Sequence, residues 1–404
     1  MQSQGQQQVR RRRVFYIPGY DPIHPRRYRE LYRKESAEQA RISGYQIALS
    51  PGSDPRRFGW QVAARIDGAD VDANVEVMVW SDIVRGSMSN SILATYLQLL
   101  WTVTIYIGSG AFYRLMLLRK GPIIAALYPI GMLLAQLGVA LLAARLVGGV
   151  LALTGLPYVG WLGLGVVWPI LHWFRKQDGR LYAYYLMHDY AYSARRIGAN
   201  PPELEARMDE FRAEIARALS DPTLDEVLVV GHSSGAHLAV SILADLIRNR
   251  EMPEHGPALS FLSLGQVVPM VSFLPRAQRL RSDLHFLAAR SELTWVDVTA
   301  PGDGCSFALC DPVSVSGVEP PGKRWPLVIS AAFTQSLSPK RWKDLRWRFF
   351  RLHFQYLCAF DRPRDYDYFQ ITAGPQTLGS RYAGRAPSKS RIDVAVSRYR
   401  SMAA

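Results

Sequence analysis

Two long apolar runs interrupt a chain that otherwise alternates short apolar segments with amphipathic ones. Positions 121–144 carry no charge, and after Arg145 positions 146–174 carry none either. A helix needs about 20 apolar residues to cross the hydrocarbon core of a bilayer. The region therefore predicts a transmembrane helical hairpin over 119–176, with its tight turn at 145–149 or at 154–157. In the second arrangement Arg145 lies near the far interface and snorkels to headgroups. Arg114, Arg119 and Lys120 precede the hairpin and Arg175, Lys176 and Arg180 follow it, which predicts both ends on the cytoplasmic side of an inner membrane. A third uncharged stretch, 91–113, is diluted by Gln98, Thr102, Thr104, Gly108, Ser109 and Gly110. It reads as an amphipathic helix held at the interface or in the core.

Outside the hairpin the periods switch between those of strands and helices. Val14-Phe15-Tyr16-Ile17 is a short strand stopped by Pro18-Gly19, and a helix follows over 26–43. Segments 58–66 and 75–80 read as strands, the second with alternating Val75, Val77 and Val79. Pro201 and Pro202 open a helix whose Leu204, Met208, Phe211, Ile215 and Leu219 recur every three or four residues. Then come a strand at 225–230, a turn at 231–235 and a helix at 236–248. Strands at 259–264 and 293–299 follow, with a helix between them. Such alternation predicts an α/β fold with a mainly parallel sheet covered on both faces. The hairpin interrupts one domain. Residues 1–118 form its N-terminal portion, 119–176 the hairpin, 177–384 its C-terminal portion and 385–404 a polar tail.

Composition narrows the class. The chain has 404 residues, 49% hydrophobic and 20% charged, enough for a sizeable core and too little charge for global disorder. Cys305, Cys310 and Cys358 are too few for a disulfide scaffold and lack zinc-ligand spacing, so a reducing compartment and no metal or cofactor are expected. The formal net charge is +14, and nearly all of the basic residues are arginine. The blocks at 10–13 and 340–351 carry no nucleic-acid-binding motif, so anionic lipid headgroups are the expected partner. The first ten residues have no apolar core, and no signal peptide is expected.

Gly231-His232-Ser233-Ser234-Gly235 has the pattern G-x-S-x-G, between a buried-type strand and an apolar helix. A sharp strand-to-helix turn holds such a serine in a strained, exposed conformation, and only small residues two positions either side avoid the crossing backbone. The helix N-terminus adds N–H groups and a positive dipole end for an oxyanion. Ser233 is the candidate nucleophile. On these residues the sequence resembles the α/β-hydrolase fold of serine esterases and lipases. It is similar in particular to poorly characterised bacterial membrane-anchored members.

That resemblance implies a triad in the order serine, acid, histidine. Asp303, just past the 293–299 strand among Pro301, Gly302 and Gly304, is the expected acid, with Asp311 in reserve. Asp297 lies within the strand and is expected to be buried. His353 is the only histidine after Asp303. His255 and His285 precede the acid, His232 and His237 flank the elbow too closely, His188 and His24 are reserves, and His172 lies in the membrane run. The oxyanion hole implied by the resemblance uses the backbone N–H groups of Ser234 and Tyr20, although Pro18 departs from the usual His-Gly and Asp21 adds a nearby negative charge.

The expected function is a membrane-anchored serine hydrolase that cleaves lipid-like or small acyl esters through an acyl-enzyme, with the tyrosine-rich 181–192 segment as a lid. A peptidase, thioesterase or acyltransferase would use the same residues. The alternative is a non-catalytic membrane scaffold on the same fold, docking through the basic, aromatic 340–351 segment. The first strand precedes every apolar segment and the elbow follows them all, so one sheet holds both only if the membrane is crossed an even number of times.

Overall fold

The strand β1 (Arg11–Ile17) carries side chains for two layers: Val14 and Tyr16 face one core, Phe15 and Ile17 the other. A strand buried on both faces belongs inside a sheet. Accordingly β1 pairs in parallel with β4 (Ala69–Val77) on one side and β5 (Glu226–His232) on the other. The computed structural model describes residues 8–403 apart from 53, 55, 56 and 90. With β2 (Gln46–Pro51), β3 (Gly59–Ile66), β6 (Ala258–Leu264), β7 (Leu293–Thr299) and β8 (Leu327–Ser330), the sheet has eight strands in the order β2-β3-β4-β1-β5-β6-β7-β8. Antiparallel pairing is confined to β2 with β3 and β3 with β4. The α/β class and the mainly parallel sheet are as the sequence predicts.

The main helices are α1 (Arg26–Ser43), α2 (Ile92–Gly108), α3 (Lys120–Ala152), α4 (Val167–Lys176), α5 (Ala183–Arg195), α6 (Pro202–Leu219), α7 (Gly235–Arg248) and α8 (Gln278–Ala288). Tyr28 and Tyr32 of α1 join one core with the short helix Tyr368–Ala373. Helices α6, α7 and α8 cover the opposite face.

Two strands and several boundaries differ from expectation. The edge strand β2 alternates half-buried with exposed residues, and β8 has four residues, so neither has an apolar run to announce it. The 75–80 strand is the end of β4, which begins at Ala69 after a tight turn with Asp67 and Gly68 at positive φ; this Asp-Gly pair supplies the left-handed geometry of a two-residue hairpin. Of the basic block at 10–13, Arg12 is buried within β1 and Arg13 half-buried, while Arg10 and Arg11 are exposed. The 340–351 segment breaks into Pro339–Leu345 and Phe349–His353. Residues of the 385–403 tail lie back on the body, with Ile392 N–H on the Leu309 carbonyl and the Ser401 carbonyl on Arg281.

The 119–176 region is a helical hairpin with unequal arms. Helix α3 runs unbroken for 33 residues, about 50 Å at 1.5 Å per residue, so the turn falls after Ala152 and not at 145–149. The return arm is the 3-10 segment Val159–Val166 followed by α4. The arms touch backbone to backbone, since a Cβ on Gly163 would lie 2.3 Å from the Ala144 oxygen. Most large apolar side chains left exposed lie between Leu93 and Trp173, among them Leu146 and Leu162. Among the described residues, helix α3 alone is long and apolar enough to cross a membrane, and its most apolar window is only 22% buried. Helix α2 packs one face, Leu99 and Tyr106, against neighbouring helices and leaves Leu93, Leu97 and Leu100 exposed.

A buried ion pair fastens the sheet. Arg12 Nε lies 2.5 Å from Glu226 Oε2 across β1 and β5, both side chains fully covered. The guanidinium also donates to the Gly374 and Gln376 carbonyls, and Glu226 Oε1 accepts from Ser260 Oγ and Leu378 N–H. Breaking such a pair strands an uncompensated charge. Glu226→Ala should therefore lower unfolding stability by about 3–5 kcal/mol, read by denaturant titration in detergent, whereas replacing Arg12 and Glu226 together by apolar residues should cost much less.

Candidate active site

Strand β5 ends at His232, and α7 starts at Gly235. Between them Ser233 sits at φ 56°, in the left-handed region that side chains rarely occupy. Its N–H donates to the Leu264 carbonyl at 2.9 Å, which ties the turn to β6. The flanking glycines are required sterically. A Cβ on Gly235 would lie 2.1 Å from the Ile17 oxygen, and one on Gly231 would lie 2.7 Å from Ala236 Cα. The loop after β1 approaches equally closely, since a Cβ on Gly19 would lie 2.9 Å from Ser233 Cβ. That loop is held by Trp80 Nε1 donating to the Pro18 carbonyl and Tyr185 Oη donating to the Tyr20 carbonyl, at 2.9 and 2.5 Å.

The Ser234 and Tyr20 N–H groups meet no protein acceptor among the described residues. The Tyr20 side chain is buried and bonds Ser87 Oγ at 2.6 Å. The charge of Asp21 is taken up by Tyr28 Oη, the Ile23 N–H and Arg27.

His353 and Asp303 come together. The Nδ1 of His353 lies 2.8 Å from Asp303 Oδ2, both side chains buried. Asp303 also accepts from Tyr356 Oη at 3.0 Å and from the Cys305 N–H at 2.9 Å. Burial opposes its ionisation, yet the charge and hydrogen bond of His353, aided by the Cys305 N–H, hold its carboxyl below the usual range. An ionised Asp303 fixes the proton of His353 on Nδ1 and leaves Nε2 as an acceptor. That Nε2 is buried without a partner, so it makes no hydrogen bond to Ser233 in this structure. The imidazole nonetheless stands beside the elbow: a Cβ on Gly265, the residue after the Leu264 carbonyl that holds Ser233, would lie 3.0 Å from His353 Cε1.

Two supporting residues carry no separate sequence signal. His232 Nε2 donates to the His353 carbonyl at 3.1 Å while its Nδ1 meets Tyr16 Oη at 3.3 Å. Burial, then the nearby His353, pushes its pKa down to about 3, so it stays neutral and positions the base. Tyr356 holds the acid loop by accepting the Ala300 N–H and donating to Asp303.

The other candidates have different duties. Asp297 is buried in β7, accepts from Ser263 Oγ at 2.5 Å and is pushed up to about 8 by burial. Asp311 caps the short helix Pro312–Val315 and pairs with Lys323. His285 meets the Val318 carbonyl, His188 the Tyr184 carbonyl, and His24 packs on Phe58. His255 and His172 are exposed, and His237 is pushed down to about 4 by burial. Among the described residues, Asp303, Cys305 and His353 form the one group of possible metal ligands. Burial raises the Cys305 thiol well above its usual range. A cavity of about 680 Å³ lined by Met252, Pro257 and Phe286 lies at the opposite, N-terminal end of β6.

One further carboxyl belongs to this region. Asp189 on α5 is half-buried, and it is pushed up to about 7 by burial, partly offset by His353. No family model matches the chain, and neither a curated protein nor a solved structure matches it.

The Asp189 shift has a sign. The folded pKa lies above the unfolded value of about 4, so ionisation destabilises the fold increasingly from about pH 4 to about pH 7 and by a constant amount above. Melting curves of Asp189→Asn should show a gain over the parent protein that grows across this window and then levels off.

Proposed function

We propose that the protein is a membrane-anchored serine hydrolase of the α/β-hydrolase type, acting on acyl esters. The observation that carries this reading is Ser233, strained at φ 56° between a sheet and a helix N-terminus and flanked by the His353–Asp303 pair. Ser233 Oγ attacks the carbonyl carbon while His353 Nε2 takes its proton, and the Ser234 and Tyr20 N–H groups receive the oxyanion. The imidazolium, steadied by Asp303, returns the proton to the leaving alcohol. Water then attacks the acyl-serine, giving its proton to Nε2, and Ser233 is released with a carboxylic acid as product. Unpaired Nε2 fits this cycle, because such hydrogen bonds often tighten only when substrate is bound.

The anchor is the hairpin of α3 and the return arm. Its outward apolar surface supports insertion in a membrane, and α3 is long and apolar enough to cross one. The return arm, with about 2.0 Å rise per 3-10 residue and about 1.5 Å per α residue, reaches about 30 Å, the thickness of the hydrocarbon core. Strand β1 precedes the hairpin and β5 follows it, yet they pair over their whole length, so the segments before and after lie on one side. The base of the hairpin meets the site directly: a Cβ on Gly121 would lie 3.0 Å from Gly304 Cα in the acid loop. Lipid-like esters are the preferred substrate class on this proximity.

The deciding experiment is labelling with a serine-directed fluorophosphonate. Ser233→Ala should abolish labelling and ester turnover with the extracted protein still folded, while Ser234→Ala is labelled. His353→Ala and Asp303→Asn should lower kcat by about 10³-fold or more with little change in KM. A folded parent protein that takes no label would favour the scaffold reading.

Topology has its own test. Single cysteines at Thr154, in the exposed turn, and at Arg180, after the return arm, should respond oppositely to an impermeant maleimide in intact cells. Thr154→Cys should react and Arg180→Cys should stay protected; the reverse pattern would place the catalytic domain outside.

A further inference from the structure

The segment 339–353 joins the base of the hairpin to His353. Its two short helices, Pro339–Leu345 and Phe349–His353, rest on the acid loop. A Cβ on Gly302 would lie 2.5 Å from the Trp342 ring, and one on Gly304 would lie 3.2 Å from the Phe349 ring. Gly304 is also the residue that the first turn of α3 meets at Gly121. On the other side, the Phe350 ring lies 4.8 Å from Tyr182 and 5.9 Å from Tyr185 between centroids, which ties the segment to the chain that leaves the return arm. The segment thus reaches both ends of the hairpin base.

Its outer side is unmatched by the rest of the protein. Arg341 reaches Glu35 at 3.7 Å. Lys340, Lys343, Arg346, Arg348 and Arg351 are exposed and pair with no acid among the described residues. Asp344 is the one acidic residue between 339 and 351. Among these cations Trp347 is 72% exposed and Phe349 45%, and Arg346 stacks over the Trp347 ring at 5.5 Å. Tyr182, itself exposed, continues the aromatic surface from Phe350 toward the return arm. Exposed rings interleaved with unpaired cations suit the headgroup level of an anionic leaflet, where rings take the interfacial layer and cations meet phosphates. A nucleic acid would also attract the cations, but the contacts with Gly304 and Tyr182 hold this surface at the base of the hairpin.

We propose that residues 339–351 dock on anionic lipid headgroups of the leaflet that the hairpin enters, and that this contact steadies His353, so that Ser233 is acylated fastest on an anionic membrane. This rests on the reading as a membrane-anchored hydrolase and adds its regulation. The linkage is short. Phe349, Phe350 and His353 share one helix, and His353 Nδ1 bonds Asp303 in the same loop on which Trp342 and Phe349 rest. Trp347 and Arg348, just before that helix, are where the leaflet takes hold.

The test places the full-length protein in nanodiscs of phosphatidylcholine, alone or with phosphatidylglycerol added. Hydroxyl-radical footprinting read by mass spectrometry follows the exposure of Trp347, and the rate of fluorophosphonate adduct formation on Ser233 follows the site. In anionic discs Trp347 oxidation should fall, and labelling should accelerate, each by about 5-fold or more, the factor that one surface cation contributes. High salt should remove both effects. The exposed-site variant Lys343→Gln/Arg346→Gln/Arg348→Gln should behave in anionic discs as the parent protein does in neutral ones. Equal Trp347 oxidation in the two lipids overturns the inference, as does a difference that survives in the triple variant or a labelling rate indifferent to lipid. Protection of Trp347 by added RNA in neutral discs, without protection by anionic lipid, also overturns it. Should the triple variant not fold, the salt dependence of the parent protein decides. If Ser233 takes no label in any disc, the hydrolase reading fails, while the Trp347 footprint still decides the docking surface.

Discussion

The closest constraint in the molecule is the backbone contact between the loop after β1 and the turn after β5. Gly19 and Gly235 leave no room for a Cβ at that seam, and Ser233 between them holds a conformation that costs of order 1–3 kcal/mol outside glycine. Local sequence does not stabilise such a state. It persists because β1, β5 and β6 are paired along their length, and because the Ser233 N–H is already spent on the Leu264 carbonyl. The Arg12–Glu226 pair secures the far end of the same strands. Strain at one end of β5 is thus balanced by a fully satisfied ion pair at the other.

The same seam restricts what the inserted hairpin can do. Residues 18–225 must leave β1 and return to its neighbour β5 in parallel register, carrying α3 and the return arm on the way. An insertion under that condition goes out and comes back. The unequal arms meet it differently: α3 is one continuous helix, while the return arm begins as a tighter 3-10 segment. Gly148, Gly160 and Gly163 let the arms approach closely enough for backbone van der Waals packing.

Much of this was legible in sequence, and what was not has physical causes. Helices α1 and α6 and strand β7 stand where periodicity places them, because each buries one apolar stripe or an unbroken apolar run. The elbow was legible because only glycine fits at positions 231 and 235. Strand β2 was not, since an edge strand with one exposed face carries little apolar pattern. The Asp303–His353 pairing was reached through the chain order of a resemblance and is met at 2.8 Å. The roles of His232 and Tyr356 were hidden, because they act on backbone and carboxyl atoms of residues distant in sequence. The duty of Arg12 was hidden for a related reason: a charge count over 10–13 does not show that it faces Glu226 across more than two hundred residues.

Polar satisfaction separates the structural groups from those left for chemistry. Asp303, Glu226 and Asp311 are buried acids whose oxygens have donors, and their neighbourhoods explain them without a ligand. His353 Nε2 is different: it is buried with no partner. Leaving a buried polar atom unpaired costs about 1–3 kcal/mol, a cost that a purely structural role would not need. The imidazole lies beside Ser233, held at positive φ next to a helix N-terminus, and the loop of its partner Asp303 meets Gly121 at the base of the hairpin. A strained serine beside a buried, unpaired imidazole nitrogen is an arrangement in which stability is given up for function, and it is the physical reason to look for a substrate here and not at the cavity beside Met252 at the other end of β6.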